Sequence, residues 1–181
     1  LVLIACAAKE SAWGIAIHEA QRLALAADCT FGKNNGGQNG LKTARAIGML
    51  VYRTSDSFNQ LQTDTDDRTD DYKAASYVRY QGEKLVKRFN AIAYYYLTKC
   101  LDSHNVGRGR GGIKNALNKI DTRTLVIGID SDELLPIASQ KEIAEHLPNS
   151  VYEEVNSEFG HDGFLIETEQ LTQKIRSFLN K

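Results

Sequence analysis

The sequence predicts an α/β fold of parallel strands with a helical insertion, and three observations lead there. From Thr122 onward short apolar runs alternate with amphipathic segments, the pattern of strands joined by helices. The two runs in that part, TLVIGI at 124–129 and VYEEV at 151–155, each lead into a polar stretch rich in acid, histidine or glycine. Between residues 30 and 112 the periodicity is helical, with polar and turn-rich breaks.

Composition narrows the classes. At 181 residues, 42% apolar and 25% charged, the chain is long enough for a real core. A formal net charge of −1 gives no electrostatic reason to expect nucleic acid or an anionic membrane as partner. Three cysteines, Cys6, Cys29 and Cys100, are odd in number and lack C-x-x-C spacing. They read as free thiols in a reducing compartment, which points to the cytoplasm. The opening LVLIAC is too short to span a membrane and lacks the basic flank of a secretory signal. The chain starts at Leu1 and its single methionine is Met49, so that opening reads as a buried strand of a longer protein.

In chain order, Leu1–Ala5 is the first strand. Residues 11–27 form a helix capped by Ser11, with Trp13, Ile17, Ala20 and Leu23 at helical spacing. The turn-rich CTFGKNNGGQNG (29–40) interrupts it, and 41–54 resumes helical periodicity through Ala44, Ile47, Leu50 and Val51. Residues 56–71 carry six aspartates and read as a solvated connection. They lack the glycine and terminal glutamate of an EF-hand loop, so no metal is expected. Helices follow at 72–89 and 90–102, the second holding Tyr94, Tyr95 and Tyr96, a cluster suited to packing or a helix interface. The stretch VGRGRGG (106–112) has neither the spacing nor the preceding strand of a phosphate loop and reads as a hinge before a helix at 113–120. Strand 124–129, helix 139–147 stopped by Pro148, strand 151–155 and helix 164–179 complete the chain.

Ligands of parallel sheets sit beyond the carboxyl ends of the strands. Asp130 and Asp132 follow one strand; His161, within GHDGF, follows the next. An imidazole titrating near neutrality can take and return a proton if a carboxylate fixes its tautomer. Asp130 and Asp132 both qualify, and periodicity does not separate them. His18, His104 and His146 read as structural. Strand–acid, then strand–histidine, is the order that closes an α/β-hydrolase chain, whose triad runs nucleophile, acid, histidine. The nucleophile is the gap: no G-x-S-x-G occurs, Ser131 lies between two aspartates, and Ser157 lies beside the histidine loop.

Six motifs in this order, ARAIGMLVYR (44–53), YVRYQG (77–82), LDSH (101–104), GRGRGG (107–112), IDSD (129–132) and GHDGFL (160–165), resemble homoserine O-acetyltransferase, the α/β-hydrolase-type enzyme of methionine biosynthesis. The resemblance spans nearly the whole chain. It implies the C-terminal part of an α/β-hydrolase fold: the last three parallel strands with helices, plus an inserted helical lid. Residues 1–29 and 113–181 would be core and 30–112 the lid and dimerisation insertion. It places the triad acid on Asp132 and the base on His161. It places the homoserine clamp on Arg45, Tyr52 and Asp162, a guanidinium and a phenol for the carboxylate end and a carboxylate for the ammonium. Seven residues is two helical turns, so Arg45 and Tyr52 are expected on one face of one helix.

The implied reaction is ping-pong. Acetyl-CoA, a co-substrate with no bound cofactor, acylates a serine that L-homoserine then relieves. The expected assembly is a homodimer through the tyrosine-rich helix of the lid. Lacking the serine elbow, the chain alone is expected to be inactive. Two alternatives stand beside this reading: a related homoserine or serine O-succinyltransferase, and a catalytically dead interaction module left by truncation.

Overall fold

A computed structural model describes residues 1–180. The chain divides into two compact units. One, the sheet unit, comprises Leu1–Glu10, Tyr52–Thr54 and the chain from His104 onward; the other comprises Ser11–Val51 and Ser55–Ser103.

Three parallel strands form the sheet in the order β1 (Val2–Ile4), β2 (Thr124–Ile129), β3 (Ser150–Val155). Val2 pairs with Leu125, and Thr124 with Ser150. All six residues of β2 are buried, as a central strand covered on both faces requires. Its side chains alternate between the two faces. Leu125, Ile127 and Ile129 join Ala5, Val155, Leu171 and Phe178 on the face covered by helix α9 (Thr168–Leu179). Val126 joins Ala8, Leu117, Ile143 and Leu147 on the other, under the short helix α6 (Ile113–Leu117) and α7 (Ile137–His146). The single closing helix expected at 164–179 is two, α8 (Gly163–Ile166) and α9, because Glu167 leaves helical geometry at ψ 50°.

The helical unit holds α1 (Ala12–Ala26), α2 (Gln38–Val51), α3 (Ser55–Gln62), α4 (Lys73–Val86) and α5 (Ala91–Asp102). Leu25, Leu41, Ala44, Leu85 and Ala91 form its core. Ser11 caps α1 through Gly14 N–H, and Asn90 caps α5. His18 is held by Asp102 at 2.8 Å, and the same carboxylate receives the buried Arg22.

The structure corrects three further expectations. The buried stripe of α1 runs through Gly14, Ile17, Gln21 and Leu25, while Trp13 and Leu23 face outward. The aspartate-rich stretch is helical at its start: Ser57 is buried and Phe58 packs edge-on against Tyr77, contacts that composition does not register. As compact units, α1 groups with the helical unit, its Leu25 packed into that core, and residues 104–112 group with the sheet unit, where Val106 N–H donates to Ala8 C=O. Finally, α2 starts at Gln38, because the Asp28 carboxylate accepts the N–H groups of Asn39 and Gly40, free donors at a helix start.

Asp28 also accepts the Thr30 hydroxyl and N–H. These bonds, with the Thr30 hydroxyl the largest influence, hold its carboxyl down at about 2. A depressed folded value means stability that is present above the ordinary value of 3.8 and lost as pH falls toward 2. Asp28→Asn is therefore expected to lower the thermal midpoint at pH 7. The gap between variant and wild type should close progressively below pH 4, as followed by circular dichroism.

Candidate active site

The loops leaving β2 and β3 interlock residue by residue, all within the sheet unit. His161 sits on a single 3-10 turn, Gly160–Asp162, after β3. Its Nδ1 lies 2.7 Å from Asp132 Oδ2. The Asp132 side chain is fully buried and that of His161 is 18% exposed, so the acid is sealed while the imidazole keeps an open edge. Asp132 Oδ1 accepts two backbone N–H groups, from Leu134 at 2.9 Å and Leu135 at 2.8 Å. An ionised carboxylate only accepts, so it selects the His161 tautomer protonated at Nδ1 and leaves the Nε2 lone pair for chemistry.

Asp130, the rival acid in the sequence, does something else. Its Oδ1 accepts Ser157 N–H at 2.9 Å and its Oδ2 accepts Asn156 Nδ2 at 2.7 Å. Between the two aspartates, Ser131 Oγ accepts Gly160 N–H at 3.0 Å. Three consecutive residues after β2 thus grip the loop after β3 at 156–157, 160 and 161.

The glycines of the histidine motif are there for space. Gly160 has φ +61°, and a Cβ on it would stand 3.0 Å from Tyr52 O and 3.1 Å from Thr54 N. A Cβ on Gly163 would stand 2.8 Å from both Ile129 Cγ2 and Ser157 Oγ. The His161 ring meets Phe164 edge-on at 5.1 Å and Tyr52 at 6.1 Å.

The segment 52–54 is bonded to the same loop. Asp162 N–H donates to Tyr52 C=O at 3.0 Å, Arg53 Nε donates to Asp162 Oδ2 at 3.1 Å, and Thr54 Oγ1 donates to Glu158 C=O at 2.6 Å. Asp132, His161, Tyr52 and Asp162 are therefore brought together. Arg45 lies on α2 in the helical unit, and Tyr52 falls one residue beyond the end of that helix, so the two do not share a helix as their spacing predicts. Sequence reasoning missed Arg53, Thr54, Ser131 and Asn156. Arg53 stands in the ARAIGMLVYR motif, but its partner is 109 residues away, and no local spacing signals such a bond.

No family model matches the chain. Among curated proteins, it is 48% identical over 179 residues to the homoserine O-acetyltransferase of Cyclobacterium marinum, covering 98% of this chain and 51% of that protein. It is 41% identical over 185 residues to the homoserine O-acetyltransferase of Chloroherpeton thalassium, covering 98% and 48%. The chain thus spans about half the length of the curated relatives it matches. Among solved structures, homoserine O-acetyltransferase from Staphylococcus aureus superposes with a TM-score of 0.80 at 28% identity, over 99% of this chain and 50% of that one. Esterase E22, as an L374D mutant, superposes at 0.86 over 98% and 53%, but at 21% identity it speaks for the fold alone. Sheet, helices and relatives agree, and the chain is a homologue of the homoserine O-acetyltransferase family with an α/β-hydrolase fold, corresponding to about half of a family member.

Proposed function

We propose that this chain supplies the base, the acid and the acceptor-binding groups of an acyltransferase that moves an acetyl group from acetyl-CoA to the hydroxyl of L-homoserine. The observation that carries the reading is the 2.7 Å bond between His161 Nδ1 and a fully buried Asp132. Relatives bearing the homoserine O-acetyltransferase name, at up to 48% identity, support the choice of reaction.

In this mechanism His161 Nε2 takes the proton of a nucleophilic serine as its oxygen attacks the thioester carbonyl. The C–S bond breaks, and the departing CoA sulfur receives that proton. Homoserine's hydroxyl then gives its proton to His161, attacks the acyl-serine, and serine leaves with the proton returned. Asp132 steadies the imidazolium in both halves. Arg45 and Tyr52 hold the acceptor's carboxylate and Asp162 its ammonium group. The serine comes from sequence beyond these residues, so the 181 residues alone transfer nothing. We extend the proposal to a cytoplasmic homodimer in the methionine pathway, formed through α5, whose Tyr96, Leu97 and Leu101 are exposed. No described helix is long and apolar enough to cross a membrane.

The test is CoA release by the protein expressed from its complete reading frame, with acetyl-CoA or succinyl-CoA as donor and L-homoserine or L-serine as acceptor. Homoserine-dependent release from acetyl-CoA is expected, and none from the 181-residue chain. Preference for succinyl-CoA or serine, hydrolysis without an acceptor, or activity of the short chain would each overturn the corresponding part.

A further inference from the structure

We propose that Arg53 is a positioning residue for the amino-acid acceptor, orienting the Asp162 carboxylate that receives the acceptor's ammonium group. The inference rests on the acyltransferase reading above.

Asp162 is fixed at two levels. Its backbone N–H is bonded to Tyr52 C=O at 3.0 Å, which sets the Cα. Its Oδ2 is bonded to Arg53 Nε at 3.1 Å, which sets the carboxylate. Both side chains are about four-fifths buried, at 20% and 18% exposure, so this is not a solvated ion pair of the kind that contributes little. The residues flanking Arg53 reinforce it: Thr54 Oγ1 is bonded to Glu158 C=O at 2.6 Å, and Tyr52 packs against the His161 ring. The backbone of 52–54 lies flush against Gly160, where there is no room for a Cβ.

The physical consequence concerns binding. A carboxylate with no partner on a short turn samples several rotamers, and freezing it when the ligand arrives costs affinity. A guanidinium on one oxygen removes that cost beforehand, and its charge balances the carboxylate's while no acceptor is present. Lysine can keep the charge but not the planar donor geometry. Arg53 acts through Asp162, so its loss should weaken acceptor binding and spare acylation of the serine, a step in which Asp162 has no part.

The experiment separates the two half-reactions in the protein from its complete reading frame. Acylation is read as the burst of p-nitrophenol from p-nitrophenyl acetate, and acceptor binding as the KM for L-homoserine. Arg53→Met is expected to raise that KM about tenfold or more, the scale of one charge-assisted hydrogen bond, with the burst rate kept within about twofold. Arg53→Lys should recover part of the loss. In the Asp162→Asn background Arg53→Met should add nothing, because the partner is already gone.

An unchanged KM in folded Arg53→Met, a burst rate falling in step with KM, or additive effects in the double variant would overturn the proposal. If Arg53→Met does not fold, Arg53→Lys with and without Asp162→Asn decides the same question. A wild-type protein that gives no burst sinks the functional reading, and this inference with it.

Discussion

In the protein from its complete reading frame, Asp132→Asn should leave a folded protein whose acyl transfer is reduced by about four orders of magnitude, the cost of presenting the proposed base, His161, in the wrong tautomer. The reason lies in the hydrogen-bond inventory of Asp132. Its Oδ1 is spent on Leu134 and Leu135 N–H, so an asparagine oxygen will occupy that position. The amide NH2 then faces His161 Nδ1 at the place of Oδ2, and a donor there forces Nδ1 to accept. The proton moves to Nε2, and the lone pair that should receive the serine proton is lost. Steady-state kcat with acetyl-CoA and homoserine checks this, alongside a thermal midpoint showing that the loop persists. Asp130→Asn is the control, since Asp130 binds Asn156 and Ser157 rather than the imidazole. A fall of comparable size in Asp130→Asn, with Asp132→Asn active, would reverse the assignment of the acid.

Gly160→Ala should cost about 3 kcal/mol of stability, combining left-handed backbone strain of about 1–2 kcal/mol with an overpacking cost of similar size. The overpacking arises because the new methyl meets three backbone atoms of residues 52–54 at 3.0 to 3.2 Å. Backbone cannot swing aside as a flexible side chain can, so the histidine turn must move. A displacement on the order of 1 Å at a reacting group costs about a hundredfold in rate; the shift needed here is smaller, so acyl transfer by the protein from its complete reading frame is expected to drop by roughly tenfold. Gly109→Ala is the matched comparison: φ is +69° but nothing lies within 4 Å of its Cβ. It should show the backbone strain alone, about 1–2 kcal/mol, and unchanged kcat. Equal effects at the two positions in urea unfolding and kcat would show that segment 52–54 does not restrain the histidine turn.

Much of this molecule was legible before folding. The strand at 124–129 announces itself as a short run of β-branched and aliphatic residues, and that at 151–155 as a short stretch in which two valines and a tyrosine flank two glutamates. Their parallel pairing followed from the helix between them, since a parallel return needs a crossover. The sequence also singles out His161, flanked by glycines just past a strand, as the proposed base. The aspartate-rich stretch was misread in part because its helix is anchored by Phe58 against Tyr77, a contact between residues with no shared periodicity. The face of α1 differs from its periodicity because apolar side chains at 13 and 23 point outward while Gln21 and Arg22 are buried, the guanidinium of Arg22 meeting Asp102 across the helical unit.

The order of the strands and helices, the polar loops after residues 129 and 155 and the family resemblance are legible in the sequence, because each is written in local spacing or in short motifs. Tertiary structure alone shows that Asp132 and not Asp130 meets the His161 ring, that Arg53 bonds to Asp162, and that residues 52–54 lie against Gly160. The two side-chain bonds join groups 29 and 109 residues apart in the chain. Local pattern carries no information about contacts at such separations; the register of β2 against β3, which aligns Ile129 with Val155, brings the loops after those two strands side by side.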